Sequence, residues 1–317
     1  MNALLKSRES ILVGAILALL VLIATRFAGF VAPANLAAVF NDTSPLIILA
    51  LGQMVVILTR CIDLSVAANL ALTGMVCAML NVAYPELPII VILLLALALG
   101  AIMGAVNGLL VWKLDIPPIV VTLGTMTIFR GIIFLISNGK WVNAHEMSPA
   151  FKAFPRAELL GLPMMSWVAI LVILAFFVLM TRTSLGRAVY AVGNNATAAM
   201  FSGIRVGRVK LTLFMLTGLM SGLAAVCLTS RLGSTRPSIA SGMELEVVTM
   251  VVLGGVNILG GSGTIPGVVI AAFVMGLVTF GLGLLNVPGI VMSIFIGALL
   301  IGVIALPRLF AKLKGSK

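Results

Sequence analysis

Few residues in this sequence are of types that could do chemistry, and they are scattered. Its single histidine, His145, has no candidate ligands nearby, and the three cysteines (Cys61, Cys77 and Cys227) are an odd number without metal-ligand spacing. The sequence has no G-x-x-x-x-G-K-(S/T) loop of the kind that cradles ATP phosphates. The pattern therefore predicts neither catalysis nor a cofactor or metal bound by this chain.

Six polar residues lie in or beside long apolar runs, and they are the candidates for lining a path through the protein. They are Asp63, Asn107, Thr122, Thr125, Arg130 and Asn257. An arginine at the centre of a membrane helix costs about 2.5–3.5 kcal/mol on insertion scales, so Arg130 should face a partner or a wet cavity. Asp63 is a possible partner. The neutral side chains suit a hydroxyl-rich solute, but they could equally tie helices together.

The elements that position these residues must be membrane helices. The 317 residues are 62% hydrophobic and 9% charged, whereas a water-exposed domain carries about a quarter charged residues. Long apolar runs, with no alternation of polar and apolar residues, exclude an outer-membrane barrel. The excess of Lys and Arg, 20 against 9 Asp and Glu, is concentrated in loops and tails. This distribution fits membrane topology and does not indicate nucleic-acid binding.

The spacing of charges predicts about ten membrane spans. A bilayer needs about 20 apolar residues per helix. Six runs carry no charge: 10–25, 43–59, 64–85, 87–112, 159–181 and 211–230. The uncharged stretch between Glu246 and Arg308 has room for three more, and a tenth span, about 117–138, contains Arg130. We expect a single all-α transmembrane domain, residues 1–317.

An even number of spans places both termini on one side of the membrane. That side receives most of the basic residues, including those of the two tails and of residues 182–210. The positive-inside rule makes it the cytoplasmic side. Glycines four apart, at Gly100, Gly104 and Gly108 and at Gly218 and Gly222, predict close helix packing. Trp112, Trp141 and Trp167 lie near span ends, where tryptophan anchors helices at the interface.

The longest predicted cytoplasmic segment, residues 182–210, carries the most local information. Asn195 is a helix-capping residue, and Gly203 suits a helix end, so a short helix is expected between them. Exposure of the apolar residues Ala198, Ala199 and Phe201 to water would be unfavourable. They indicate either a docking surface for another protein or a loop tucked against its own bundle.

Several stretches of this sequence, in order along the chain, resemble the permeases of monosaccharide ABC importers. One is the run Gly186-Arg187-x-x-Tyr190-Ala191-x-Gly193-x-Asn195-x-x-Ala198-Ala199-x-x-Ser202-Gly203-Ile204. The others are Ile62–Val66, Ile116–Met126 followed by Arg130-Gly131, Glu244–Glu246 with Val252–Gly255, and Gly260–Thr264. Together they cover almost the whole chain and are highly specific.

The resemblance implies a ten-span, type II importer-like permease in a bacterial inner membrane, without cofactors of its own. Its partners would be a second copy or a related permease, a cytoplasmic ATPase that holds ATP and Mg, and a periplasmic sugar-binding protein. Residues 182–210 would carry the coupling helix, through Gly186, Arg187, Tyr190, Gly193, Asn194, Asn195, Ala198, Ala199, Ser202 and Gly203. Glu244 and Glu246, at the outer mouth of a span, would either engage the binding protein or simply face water.

This chain departs from the resembled family at several positions. Many members have Gly-Gly where this chain has Arg60-Cys61, and Glu-Leu-Asp where it has Glu244-Leu245-Glu246. These changes favour rhamnose or autoinducer-2 over ribose as the solute. Two other classes stay open: a secondary transporter driven by ions, with Asp63 as its coupling carboxylate, and a receptor or scaffold that transports nothing.

Overall fold

The computed structural model describes residue 18, residues 20–27 and residues 29–314. It is a helical bundle with one small pair of strands. Most of the first predicted span, 10–25, and the N-terminal Lys6 and Arg8 lie outside the described residues, although residues 20–26 are helical.

The helices follow one another with short connections. The first half of the chain contains α1 (Pro33–Leu58), α2 (Val66–Ala83), α3 (Ile89–Lys113), α4 (Pro118–Ser137) and the short α5 (Pro149–Ala153). A 3-10 turn (Phe154–Arg156) and an antiparallel pair, β1 (Glu158–Leu159) and β2 (Leu162–Pro163), lead to α6 (Met164–Arg182). The remaining helices are α7 (Ser184–Asn194), α8 (Ala196–Phe201), α9 (Val206–Leu232), α10 (Met243–Leu253), α11 (Ile265–Leu284) and α12 (Gly289–Lys314).

Seven of these helices are long and apolar enough to cross a membrane: α1, α2, α3, α4, α6, α9 and α11. This confirms a polytopic helical fold. The sequence of α12 is also uncharged from Gly289 to Pro307. The span predicted just after Glu246 is the 11-residue helix α10, which rises only about 16 Å and is too short for a core of about 30 Å. The number of ten spans therefore stays a prediction.

Helix α10 is followed by an irregular, glycine-rich segment, residues 254–264. Gly255, Gly260 and Gly261 have φ near +82°, a left-handed conformation that favours glycine. The Gly261 N–H donates to the Leu58 carbonyl at 3.0 Å, so this segment is fastened to the end of α1. Such a half-helix continued by irregular chain is tolerated at membrane depth only where it is buried in protein or lines a cavity.

The centre of the bundle is formed by α1, α2 and α9, which contribute most of the fully buried side chains. Helix α9 meets α3 along the predicted glycine faces. A Cβ at Gly100 or Gly104 would collide with backbone atoms of Gly218 or Phe214 on α9. The two backbones therefore touch directly, which confirms the packing that the four-residue glycine spacing predicts.

The bundle has two distinct ends. We call the end that carries residues 182–210 the proximal end; α1 ends there, and α4 and α9 begin there. The other end, called distal, carries the α4–α5 and α9–α10 loops. These two loops are joined by a backbone bridge between Val142 and Thr235, with hydrogen bonds of 3.0 and 2.9 Å.

Candidate functional site

Residues 182–210 form two short capped helices at the proximal end. The Thr183 hydroxyl accepts a hydrogen bond from the Gly186 N–H and so caps α7. The Asn195 side chain accepts from the Ala198 N–H at 3.0 Å and caps α8. Gly203 follows α8 with φ +85°. The expected short helix between Asn195 and Gly203 is confirmed, with its cap and its terminator in place.

One side of this segment is fastened to the bundle. The Arg60 guanidinium donates from Nε to the Gly193 carbonyl at 2.8 Å and from Nη2 to the Asn194 carbonyl at 2.6 Å. These carbonyls are at the C-terminal end of α7, where a cation is electrostatically favoured. The Tyr190 hydroxyl donates to the Gly263 carbonyl at 2.9 Å. The glycine-rich segment and the α1–α2 connection therefore both hold α7, and we call these contacts the α7 junction.

Close approach explains the glycine at position 193. A Cβ at Gly193 would collide with the Leu58 carbonyl and with the Gly261 backbone. Gly186 has a similar role at the start of α7, where a Cβ would meet carbonyls of the last turn of α6. Gly186 and Gly193 of the predicted coupling loop thus permit backbone contact.

The opposite side of the segment is open. Phe201 is 83% exposed and Met200 is 57% exposed, while Ala199 is buried under them. Arg187 on α7 and Ala198 on α8 are also exposed. The short helix α8 is therefore supported from behind and presents two large apolar side chains outward.

A polar cluster lies just inside the proximal end and brings together three of the six predicted path residues. The Asp63 carboxylate accepts from the Ser65 backbone N–H at 2.8 Å and from its hydroxyl at 2.6 Å. The Asn107 amide donates to the same Ser65 hydroxyl at 2.8 Å. The Thr122 hydroxyl donates to the Ile62 carbonyl at 3.2 Å. Four of these residues, Asp63, Ser65, Asn107 and Thr122, form what we call the Asp63 cluster.

The Asp63 cluster is closed to solvent. Asp63 is 2% exposed, and Asn107, Thr122 and Ser65 are 0% exposed. Burial raises the pKa of the Asp63 carboxyl to about 6, and the two hydrogen bonds from Ser65 oppose that rise. The Asn107 side-chain oxygen has no hydrogen-bond partner in the described part of the chain.

Arg130 is not paired with Asp63 in the described residues. It lies eight residues beyond Thr122 on α4, which is about 12 Å further toward the distal end. Its Nη1 donates to the Ile239 carbonyl in the α9–α10 loop at 2.6 Å, and the nearby acidic side chain is Glu244. The suggested Asp63–Arg130 contact is therefore wrong, because the two residues belong to opposite halves of the bundle.

The other predicted path residues have local partners. Thr125 donates to the Val121 carbonyl one turn earlier on α4. Asn257 lies in the glycine-rich segment, where its side chain accepts from the Leu259 N–H at 3.0 Å and shapes a turn. Both side chains are thus used in part by the backbone around them.

Glu244 and Glu246 occupy the first turn of α10 at the distal end. The Glu244 carboxylate accepts from the Gly242 N–H at 3.2 Å, and both residues are partly exposed. Negative charge is stabilising at a helix N-terminus. The structure thus gives Glu244 a local role beside the docking role that the sequence suggests.

The comparisons with known proteins agree with this architecture. Residues 35–304 match the family described as the permease component of the branched-chain amino acid transport system. The chain belongs to this family. Its relatives include permeases named for sugar import, which confirms the resemblance to monosaccharide ABC-importer permeases.

Three relatives show the range of named solutes. The ribose import permease protein RbsC of Escherichia coli K12 is 38% identical over 273 residues, 86% of this chain and 84% of the relative. The D-allose transport system permease protein AlsC of the same organism is 36% identical over 283 residues, 89% and 86%. The autoinducer 2 import system permease protein LsrC of Enterobacter sp. strain 638 is 35% identical over 307 residues, 96% and 88%. No solved structure matches this permease.

Sequence reasoning missed two features of this permease. It noted Arg60 only as a departure from the resembled family, yet Arg60 holds the α7 junction. Position 60 has φ +62°, a conformation that glycine adopts freely, so the family's glycine and this arginine answer the same backbone requirement. Ser65 appeared only within the Ile62–Val66 stretch and not as a candidate site residue, although its hydroxyl joins Asp63 to Asn107; it stands at the N-cap position of α2 but makes no capping hydrogen bond there.

Proposed function

We propose that this chain is the membrane-spanning permease subunit of an ATP-driven importer for a monosaccharide-like solute. The family and the relatives named for ribose, allose and autoinducer 2 support this assignment. Rhamnose, autoinducer 2, ribose and related sugars are the candidate solutes. ATP and Mg are held by a separate ATPase subunit, and this chain is not an enzyme.

The observation that carries the proposal is the arrangement of α7 and α8. Phe201 and Met200 are two exposed apolar side chains on a short helix whose other side is fixed to the bundle. Such a pair is typical of a surface that another protein covers. In the proposed topology this surface faces the cytoplasm, where the ATPase lies. Residues 186–203 are the coupling segment, with Arg187 at the edge of the interface.

The α7 junction gives a physical route for coupling. When nucleotide binding moves the ATPase, α8 and α7 move with it, and Arg60 passes the displacement to the connection that holds Asp63. The Asp63 cluster then opens or closes the proximal end of the path. Two packed arrangements of this kind, biased by a partner, are sufficient for alternating access.

The same assignment gives the membrane topology of the chain, its pairing with a second permease and its docking site for the binding protein. The chain is a single transmembrane domain in the bacterial inner membrane, with both termini cytoplasmic, and it pairs with a second copy or a related permease. Thr125 and Arg130 lie beyond the Asp63 cluster along α4, on the way to the distal end. Glu244 and Glu246 are at the distal end, where a periplasmic sugar-binding protein docks.

The test is reconstitution of the complete transporter in proteoliposomes, with uptake of ribose, allose and rhamnose measured with and without ATP. Phe201→Glu should abolish ATPase binding and uptake, because it puts a charge into the proposed interface. Leu160→Glu is the matched control, since Leu160 is 85% exposed in the turn between β1 and β2; it should leave ATPase binding unchanged. Uptake that needs no ATP, or full activity of Phe201→Glu, would contradict the proposal.

A further inference from the structure

A cavity of about 480 Å³ opens at the distal end, away from both the α7 junction and the Asp63 cluster. Its walls come from the end of α9, the α9–α10 loop and Trp141 of the α4–α5 loop. The polar part of its lining includes Arg231, Thr235 and Arg236. A cavity of this size holds a small ligand of about a dozen heavy atoms.

Fixed backbone holds the walls of the cavity in place. The Val142–Thr235 backbone bridge joins the α4–α5 loop to the α9–α10 loop, and Arg130 on α4 donates a hydrogen bond to the Ile239 carbonyl. The Arg231 Nη1 is bound to the Asp42 carboxylate at 2.8 Å. Two of these contacts hold the loops that frame the cavity, and the third holds the end of α9 against α1, as a pre-formed binding site requires.

Two buried polar atoms of the lining residues lack partners. Thr235 is 3% exposed, and its hydroxyl oxygen has no hydrogen-bond partner among the described residues. The same holds for the Nε of Arg231, whose Nη1 is occupied by Asp42. Leaving a buried donor or acceptor unsatisfied costs about 1–3 kcal/mol. The two atoms therefore favour a ligand that brings its own hydroxyl groups.

The cavity also has an aromatic wall. Trp141 is 57% exposed, and the Arg236 guanidinium carbon lies 5.6 Å from its ring centroid. A broad indole face next to hydrogen-bonding groups suits a ligand with one apolar face and a polar edge. A sugar ring has these two surfaces, since its C–H groups cover one face and its hydroxyls project at the rim.

We propose that this cavity is a solute-binding site for a neutral sugar ring, an inference that rests on the proposed import function. The ring lies on Trp141, and its hydroxyls bond to Thr235 and Arg231, with Arg236 holding the indole in place. The permease thereby selects solute itself at the distal end, before the solute reaches the Asp63 cluster. Binding is weak, with a dissociation constant on the order of 1 mM, so that the solute is released onward.

The experiment follows Trp141 fluorescence in the detergent-solubilised complex of permease and ATPase, without binding protein. Trp112→Phe and Trp167→Phe leave Trp141 as the reporter. The complex is titrated with whichever of ribose, allose and rhamnose the wild type imports fastest, and with mannitol, an acyclic polyol, as the solution control. The sugar should give a saturable change with a millimolar midpoint, and mannitol should give none.

Thr235→Val removes the unpartnered hydroxyl at nearly constant volume and should raise the midpoint about 5–10-fold. Thr212→Val is the matched control, because the exposed Thr212 hydroxyl bonds to its own helix at the proximal end of α9. If the single-tryptophan variant folds poorly, equilibrium binding of radiolabelled sugar is measured on complexes that keep all three tryptophans. Thr235→Val should again bind more weakly, and Thr212→Val should bind as wild type.

The proposed sugar site would be overturned if neither the single-tryptophan complex nor the complex with wild-type tryptophans binds the sugar. An equal response to mannitol, or an unchanged midpoint in Thr235→Val, would also overturn it. If any of these contradicting results is obtained and the wild type still imports sugar with ATP, only the proposal of a distal sugar site is wrong, and the proposed import function stands. If the wild-type transporter imports none of these sugars and no autoinducer 2 in the presence of ATP, the proposed function fails and the site fails with it.

Discussion

The contact of Arg60 with α7 gives the sharpest prediction, because its contribution can be worked out from the structure. Hydrogen bonds to charged groups contribute about 1.5–3 kcal/mol each. One of the two bonds here is partly buried and the other is exposed, so together we expect about 1–2 kcal/mol after solvent screening. The left-handed backbone at position 60 costs a non-glycine residue about 1 kcal/mol.

Two substitutions separate these effects. Arg60→Met loses the hydrogen bonds and keeps the backbone strain, so it should destabilise the protein by about 1–2 kcal/mol. Arg60→Gly loses the bonds but relieves the strain, so its stability should stay within about 1 kcal/mol of wild type. Both lose the Arg60 part of the α7 junction and keep the Tyr190–Gly263 hydrogen bond. A deficit of about 1–2 kcal/mol lowers the ratio of seated to unseated α7 by about 5–30-fold.

The assay is sugar uptake per ATP hydrolysed in proteoliposomes, together with thermal unfolding in detergent. Both variants should lower uptake per ATP by up to that factor, while only Arg60→Met should show a clearly lower unfolding midpoint. The control is Arg156→Met, since Arg156 is an exposed residue of the 3-10 turn before β1; this variant should behave as wild type. Wild-type coupling in both Arg60 variants, or an equal loss in Arg156→Met, would refute the junction's role.

Three further substitutions test other parts of the account. Asp63→Asn should retain most uptake, because the side-chain oxygen that accepts the two hydrogen bonds is preserved; abolished uptake would instead favour an ion-coupled transporter. Gly104→Val should lower the unfolding midpoint by forcing two helix backbones apart, at a cost of about 1–3 kcal/mol or more, whereas Gly124→Val, with open space around it, should not. Arg130→Leu should lose uptake and free the loop at Ile239 to proteolysis, with partial rescue by Arg130→Lys; wild-type flux and protease resistance would show that the contact is dispensable.

Local signals in the sequence were sufficient for the long apolar helices and for the short capped helix α8. The cap at Asn195 and the end at Gly203 depend on residues within one helical turn, and both are as expected. The glycine faces of α3 and α9 were equally clear, because a four-residue spacing puts the glycines on one side of each helix. Hydropathy identified the apolar helices but could not fix their number.

Non-local contacts could not be predicted. The glycines of the segment after α10 are visible in the sequence, but their contact with Leu58 and Arg60, about 200 positions earlier, is not. Arg60 and Asn194 are 134 positions apart. Pairing Asp63 with Arg130 used charge alone, without the helical rise that separates them. The walls of the distal cavity likewise come from loops almost a hundred residues apart.

The central claim is that this chain works with a separate ATPase, and the most direct measurement is co-purification. The tagged permease is isolated from detergent-solubilised native membranes, and the bound proteins are identified and quantified by mass spectrometry. The account predicts an ATPase of the Walker type in near-equal amount, and its loss from the Phe201→Glu variant. A permease that is isolated alone and still moves sugar in liposomes without ATP would contradict it.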